Sequence, residues 1–184
     1  MRNLIFAINV TLDGCCDHTK GAGTDDMLEY HTSLLRDVDL LVFGRKTYEL
    51  MVPYWPDAAR SQSDTKASNE FASTFDSIQR VVFSRSLSSV EDKNSRIARG
   101  ELRDTILELK QEPGKSILVG GVNVPTQLMK LGLIDEYRLV VQPFIVGEGR
   151  RLFEDVSLQE KLQLKLVESK TLRSGIVALR YLKQ

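Results

Sequence analysis

Cysteine is nearly missing from the 184 residues: there are two, and they are neighbours, Cys15 and Cys16. Adjacent cysteines cannot close an ordinary structural disulfide and lack the C-x-x-C redox spacing, so neither a disulfide framework nor a thioredoxin-like site is expected. Histidine is equally scarce, with His18 and His31 alone. No zinc-type ligand spacing and no serine-histidine-acid order emerges, so no metal site is expected. Net charge is absent too, because 25 Lys plus Arg balance 25 Asp plus Glu. A neutral chain has no general attraction for nucleic acid, and any anion must be held by a local cluster. No apolar run approaches the roughly 20 residues that span a bilayer, so no membrane partner is expected. The opening MRNLIFAINV lacks the apolar length and cleavage site of a secretory signal. It reads as a first strand, and the expected location is cytoplasmic. There is no internal repeat or low-complexity tract, and the length suits one domain over residues 1–184.

What is present is an alternation. Apolar runs bounded by turn residues recur at 4–10, 39–44, 80–84, 116–120 and 137–141, several of them β-branched and nearly continuous. Such runs suit strands buried on both faces of a parallel sheet. Between them, helical spacing appears at 25–36, 46–52, 65–75, 102–111 and 124–131. The first of these helices has Thr24 as N-cap, acids in its first turn, and Met27, Tyr30, His31, Leu34 and Leu35 on one side. That side should face the sheet, which makes His31 a satisfied core histidine. Past Asp155, two alternating runs flank RSG, a hairpin signal, so the sheet should end in antiparallel strands. The polar segments 58–66 and 86–95 read as loops. The expected fold is α/β, with a mostly parallel sheet between helices.

Four strand ends carry residues suited to chemistry. In LLVFGRKTYELM a strand hands over at Gly44 to Arg45, Lys46 and Thr47, where free N–H groups, two cations and a hydroxyl could hold a phosphate. A solvated first turn is the plain alternative. VVFSRS places Ser84 and Arg85 beyond a second strand, as ligands or as a turn cap and a surface cation. ILVGGVNV interrupts a third junction with Gly120 and Gly121 before Val122, which suits a flat ring or pyrophosphate as well as a tight turn. It is not G-x-G-x-x-G. The first strand ends in NVTLDG, where Asp13 is a candidate catalytic proton carrier or an Asx-type turn residue. Tyr54 and Trp55 could wall a flat substrate or be ordinary packing.

Together LLVFGRKTYELM, RVVFSRSL and ILVGGVNVPTQLMKLGLIDEYRLVVQPFIVGEG resemble successive segments of the dihydrofolate reductase-like superfamily. TLDG at 11–14, LLRDVDLLVFGRKT at 34–47 and GLIDEYRLVVQPFIVGEG at 132–149 are more similar to the C-terminal reductase domain of bacterial riboflavin-biosynthesis enzymes. The resemblance implies a three-layer α/β/α fold of that superfamily. It also implies an NADPH site, with Gly44, Arg45, Lys46 and Thr47 at the pyrophosphate and adenosine phosphate, Ser84 and Arg85 at the 2′-phosphate, and Gly120, Gly121 and Val122 beneath the nicotinamide side. The implied activity is hydride transfer to a small heterocycle, as in 5-amino-6-(5-phosphoribosylamino)uracil reductase. Dihydrofolate reductase activity and a nucleotide-binding module without turnover are the alternatives. The zinc motif of a deaminase domain is not in the chain, and a homodimer built on the C-terminal strands is implied.

Overall fold

A computed structural model describes residues 1–158 and 160–184. Eight strands form one sheet in the order β4-β3-β2-β5-β1-β6-β8-β7. Its centre consists of β1 (Leu4–Thr11), β2 (Val38–Gly44) and β5 (Ser116–Val119), whose apolar residues are buried on both faces. β3 (Gln79–Phe83) and β4 (Ser95–Ala98) extend one side in parallel, and β6 (Glu136–Gln142) lies parallel to β1 on the other. β8 (Val177–Lys183) then runs antiparallel to β6, and β7 (Leu164–Thr171) runs antiparallel to β8. The hairpin turn between them carries Gly175 at φ +83° and closes with Leu172 N donating to Ile176 O at 2.8 Å. That left-handed position accommodates glycine without a Cβ penalty, and it matches the RSG signal.

Period-two alternation sorts the strands' side chains into two apolar layers. Leu40, Val42, Leu4 and Phe6 face α5 (Leu102–Gln111) and α6 (Asn123–Lys130), where Ile106, Leu109, Val124 and Leu128 are buried. Leu41, Phe43 and Ile5 face α1 (Asp25–Arg36) and α4 (Lys66–Asp76), which contribute Leu34, Leu35, Phe71 and Phe75. Each such side chain, fully buried, contributes about 1.5–3 kcal/mol before the entropy of ordering is subtracted. Thr24 caps α1 by accepting from Met27 N, as expected.

Two elements depart from the sequence reading. The segment 58–66 is not wholly loop, because α2 (Arg45–Met51) is followed by α3 (Trp55–Ser61), which takes in its first half. Pro56 in the first turn and Asp57 beside it are the start signals that could have revealed this helix. β4 was also not anticipated. As an edge strand it buries Ala98 alone, so SRIA has no apolar period to detect.

Candidate functional site

Strand register determines which ends meet. β2 pairs β3 with Gly44 opposite Phe83, β3 pairs β4 with Phe83 opposite Ala98, and β2 pairs β5 with Val42 opposite Val119. The residues immediately beyond, Arg45, Ser84, Arg99 and Gly120, therefore line up along one carboxyl edge. At β2 and β5 the chain also changes side. α2 packs Tyr48 and Met51 on the α1 and α4 layer, whereas α6 packs Val124 and Leu128 on the opposite one. Neighbouring strands that send their helices to opposite faces leave a crevice at their carboxyl ends, the usual ligand position in open α/β sheets.

That crevice is part of a cleft of about 1180 Å³. Gly44, Arg45, Lys46, Thr47, Ser84 and Arg85 all line it, as do Gly120, Gly121 and Val122. Both helices that start there lack a side-chain cap and an acid in the first turn. Their first N–H groups and positive dipole ends are thus open toward an anion. The glycines permit the close approach of the two junctions. A Cβ on Gly44 would meet Val124 Cγ2 at 3.2 Å, and one on Gly120 would meet Phe43 Cε1 at 3.1 Å. Gly121 has φ +84°, and a Cβ there would overlap Thr47 Oγ1. The glycine pair is accordingly required by the protein's own packing, whatever lies above it.

The cations differ in how they are held. Arg45 Nη1 donates to Glu49 Oε1 at 3.4 Å on the same helix, whereas Lys46 and Arg85 form no ion pair among the described residues. Ser84 Oγ accepts from Ser86 N at 3.2 Å and Leu87 N at 3.0 Å, so it caps the turn after β3. Its hydroxyl proton is still free to be donated. Two further cations line the cleft that the sequence reading missed. Arg99, just beyond β4, donates to Ser88 O at 2.9 Å, and Arg150 donates to Asn123 Oδ1 at 2.9 Å and Asp155 Oδ2 at 3.0 Å. RGE after an unrecognised strand was the signal for Arg99. Nothing local marks Arg150.

Asp13 is placed differently from expectation. It is not among the cleft-lining residues. Its carboxylate accepts from Thr11 Oγ1 at 2.6 Å, Gly147 N at 3.0 Å and Val146 N at 3.3 Å, with Arg151 Nη2 at 3.5 Å. The Thr11 hydroxyl and the Gly147 amide pull its pKa down to about 2, so it is ionised at neutral pH and has no proton to give. These contacts are those of the turn alternative, in which Asp13 ties the end of β1 to the chain after β6. Tyr54 also lies outside the cleft and is exposed, while Trp55 lines it, set edge-on to Phe71 at 4.5 Å. Cys15 and Cys16 line the cleft as well, and burial pushes the Cys16 thiol up, away from thiolate chemistry. No group of three or more possible metal ligands occurs among the described residues.

Beyond the glycines and cations, the α1 side of the cleft is mostly apolar, with Leu28, Met51, Trp55 and Phe71 in its wall. Two polar side chains meet there, as His31 Nε2 lies 2.8 Å from Asn9 Oδ1. His31 is only half-buried, and the cleft shields it enough that burial pushes its pKa down to about 4. The expected satisfied histidine is present, but its ring also borders open space. The acids of α1 are all committed elsewhere. Asp25 accepts from Thr65 Oγ1 at 2.8 Å, Asp26 from Thr24 Oγ1 at 2.6 Å and Ser174 N at 2.7 Å, and Glu29 from Arg173 at 3.0 Å.

With this geometry in place, likeness to known proteins becomes informative. The model of the RibD C-terminal domain matches residues 2–178. The uncharacterized protein YyaP of Bacillus subtilis (strain 168) is 32% identical over 184 residues, covering 98% of this chain and 94% of that one. A diaminohydroxyphosphoribosylaminopyrimidine deaminase/5-amino-6-(5-phosphoribosylamino)uracil reductase from Thermotoga maritima is similar in structure, with TM-score 0.70 and 14% identity over 100% of this chain and 57% of that one. Dihydrofolate reductase from Enterococcus faecalis, complexed with NADP(H), gives TM-score 0.64 and 11% identity over 99% of this chain and 96% of that one. The two solved structures share the three-layer dihydrofolate reductase-like fold seen here.

Proposed function

Because this chain belongs to the RibD C-terminal domain family, a family of reductase domains, we propose that it is an NADPH-dependent reductase of a small heterocyclic substrate. The observation that carries the reading is the pair of uncapped helix starts, α2 and α6, facing one crevice with Arg45 and Lys46 at its edge and Arg85 and Arg99 further along. Such an arrangement fits a dinucleotide. Helix N-termini and Thr47 would hold the pyrophosphate, and the cations after β3 and β4 would hold a 2′-phosphate. When bound, the cofactor supplies a hydride from nicotinamide C4. The chain's own contribution is to place the ring over the Gly120 and Gly121 backbone and to surround the substrate with the apolar wall of Met51, Trp55 and Phe71, which excludes water.

A dihydrofolate-type site is less well supported, because α1 presents no uncommitted acid to the cleft. Titration with NADPH and NADH tests the cofactor reading. Arg85→Ala is expected to weaken NADPH by about ten- to a hundredfold, as for loss of a charge-assisted hydrogen bond of about 1.5–3 kcal/mol, and NADH by less than twofold. Equal losses for both cofactors, or no NADPH binding at millimolar concentration by folded protein, would overturn it. NADPH binding without oxidation by any pteridine or pyrimidine would mark a module without turnover. A homodimer is part of the same proposal. β7 is a sheet edge with Leu166 and Val167 half exposed, a surface that a second copy would cover, and a one-chain mass in sedimentation would refute it.

A further inference from the structure

The cleft is divided by charge. Arg45, Lys46, Arg85, Arg99 and Arg150 are its basic residues among those described, and all stand on segments that follow β2, β3, β4 or β6. In the proposed cofactor pose the phosphates take up the first four. Arg150 is already neutralised, because Nη2 donates to Asp155 Oδ2 at 3.0 Å and Nε lies 3.7 Å from Glu154 Oε1. No cation is left over for a second anion. The opposite half is formed by α1, α3 and α4, which bring no Lys, Arg, Asp or Glu to the cleft. Burial pushes the pKa of His31 on α1 down to about 4, so it adds no charge at neutral pH. Exposed His18, at the mouth, is accompanied by Asp17 at 3.9 Å.

The helix starts of this layer are closed to anions as well. Thr24 caps α1, and Asp25 and Asp26 occupy its first turn. α3 has Pro56, which lacks an N–H, and Asp57 in its first turn. At α4, Thr65 Oγ1 accepts from Ser68 N at 3.2 Å, and Asp64 accepts from Thr65 N at 2.7 Å. The starts of α2 and α6 have neither cap nor acid. What the α1 half does offer is aromatic surface. Trp55 lies edge-on to Phe71 with ring centroids 4.5 Å apart, and Phe71 stacks on Phe75 at 6.1 Å, so a row of rings leads from the cleft into the core. The whole cleft, about 1180 Å³, exceeds the roughly 300–1,000 Å³ of a single small-molecule site, which leaves room beside the cofactor. A phosphate or carboxylate seated against those rings would lose its water and gain neither a cation nor an open helix start.

We propose that the substrate of this site is an aromatic or alkyl-substituted ring bearing neither phosphate nor carboxylate, seated against Trp55 and Phe71. The neutral half selects such a ring by burial of its apolar surface and by edge or offset contact with the aromatic row. It rejects phosphorylated and carboxylated analogues because their charge is desolvated without a partner, so discrimination comes from a penalty on the wrong ligand as much as from contacts to the right one.

This inference rests on the reductase reading, whose cofactor takes up the cations, and one set of titrations separates the two. The protein is saturated with NADP⁺, which fills the charged half without turnover, and is titrated by calorimetry with 2-naphthol and with 2-naphthyl phosphate, a pair differing by the phosphate alone. Naphthol is expected to bind at least tenfold more tightly. Trp55→Ala should weaken naphthol at least fivefold while NADP⁺ affinity stays within twofold. Leu50→Arg installs a cation at a position that lines the cleft and is 41% exposed, so the fold tolerates it. It should tighten naphthyl phosphate at least tenfold and change naphthol by less than threefold, a gain that general destabilisation does not produce. Equal affinities for the two probes, preference for the phosphate, or no binding of either overturns the assignment. Failure of NADP⁺ to bind overturns the reductase reading, and the same pair titrated on the unloaded protein then decides the substrate inference separately.

Discussion

Substituting Gly121 by alanine tests how tightly the two central junctions are interlocked. Two costs add at this position. At φ +84° a side-chain residue is strained by about 1–2 kcal/mol. The new Cβ would also overlap Thr47 Oγ1 and stand 3.4 Å from Thr47 Cβ, so the hydroxyl must rotate out of its place, an overpacking cost of about 1–3 kcal/mol. Alanine lowers the entropy of the unfolded chain and returns about 0.4–1 kcal/mol. The expected net loss for Gly121→Ala is therefore about 1–4.5 kcal/mol, a sizeable part of the roughly 5–15 kcal/mol that holds a domain together. Thr47→Ala alone should lie within about 0.5 kcal/mol of the parent, because Thr47 is half-buried and alanine is the better helix former. In the double variant the overlap is gone and only the φ strain remains. Urea unfolding at 25 °C, analysed as a double-mutant cycle, should then show a favourable coupling of about 1–3 kcal/mol, the overpacking cost removed. Additivity within about 0.5 kcal/mol would refute the interlock and leave the φ requirement as the sole reason for Gly121.

Lowering the pH should expose the buried imidazole. His31 has its pKa pushed below the usual 6.5 to about 4 by burial, so the stability it contributes is fully present above pH 6.5 and is lost as pH falls toward 4. The loss between pH 7 and pH 4 is about 3 kcal/mol, and His31→Gln should lack that component of the pH dependence; parallel curves for the two proteins would contradict it. Asp13 and Asp26 titrate lower, near 2, so their contributions fade between about pH 4 and 2 and do not confuse the comparison. For Asp13→Asn, hydrogen exchange at the Val146 and Gly147 amides should accelerate while turnover with NADPH changes less than twofold. A tenfold loss of turnover with exchange unchanged would return Asp13 to a catalytic role.

Much of the fold was legible because its signals are local. Five strands and five helices declared themselves by period, and the hairpin by RSG, since a buried strand or an amphipathic helix must repeat its apolar residues at its own pitch. β4 escaped because an edge strand answers to one neighbour, and α3 because its cue, a proline in the first turn, sits inside an aromatic cluster that reads as packing. The strand-end residues Gly44, Arg45, Ser84 and Gly120 were visible for the same local reason, each being the point where one period stops.

By itself, then, the sequence determined which segments become strands and helices and which residues stand at their carboxyl ends, because backbone preference and apolar period act over a few neighbours. Only the tertiary structure decided what those residues touch. Asp13 and a free catalytic acid look alike until the chain after β6 lays the amides of Val146 and Gly147 on the carboxylate. Arg99 joins the cleft only because β4 pairs with β3, and His31 finds Asn9 across 22 positions of chain. Hydrogen-bond partners and burial are assigned by sheet order and helix placement, and these long-range terms convert a row of strand ends into a cleft with a charged half and a neutral one.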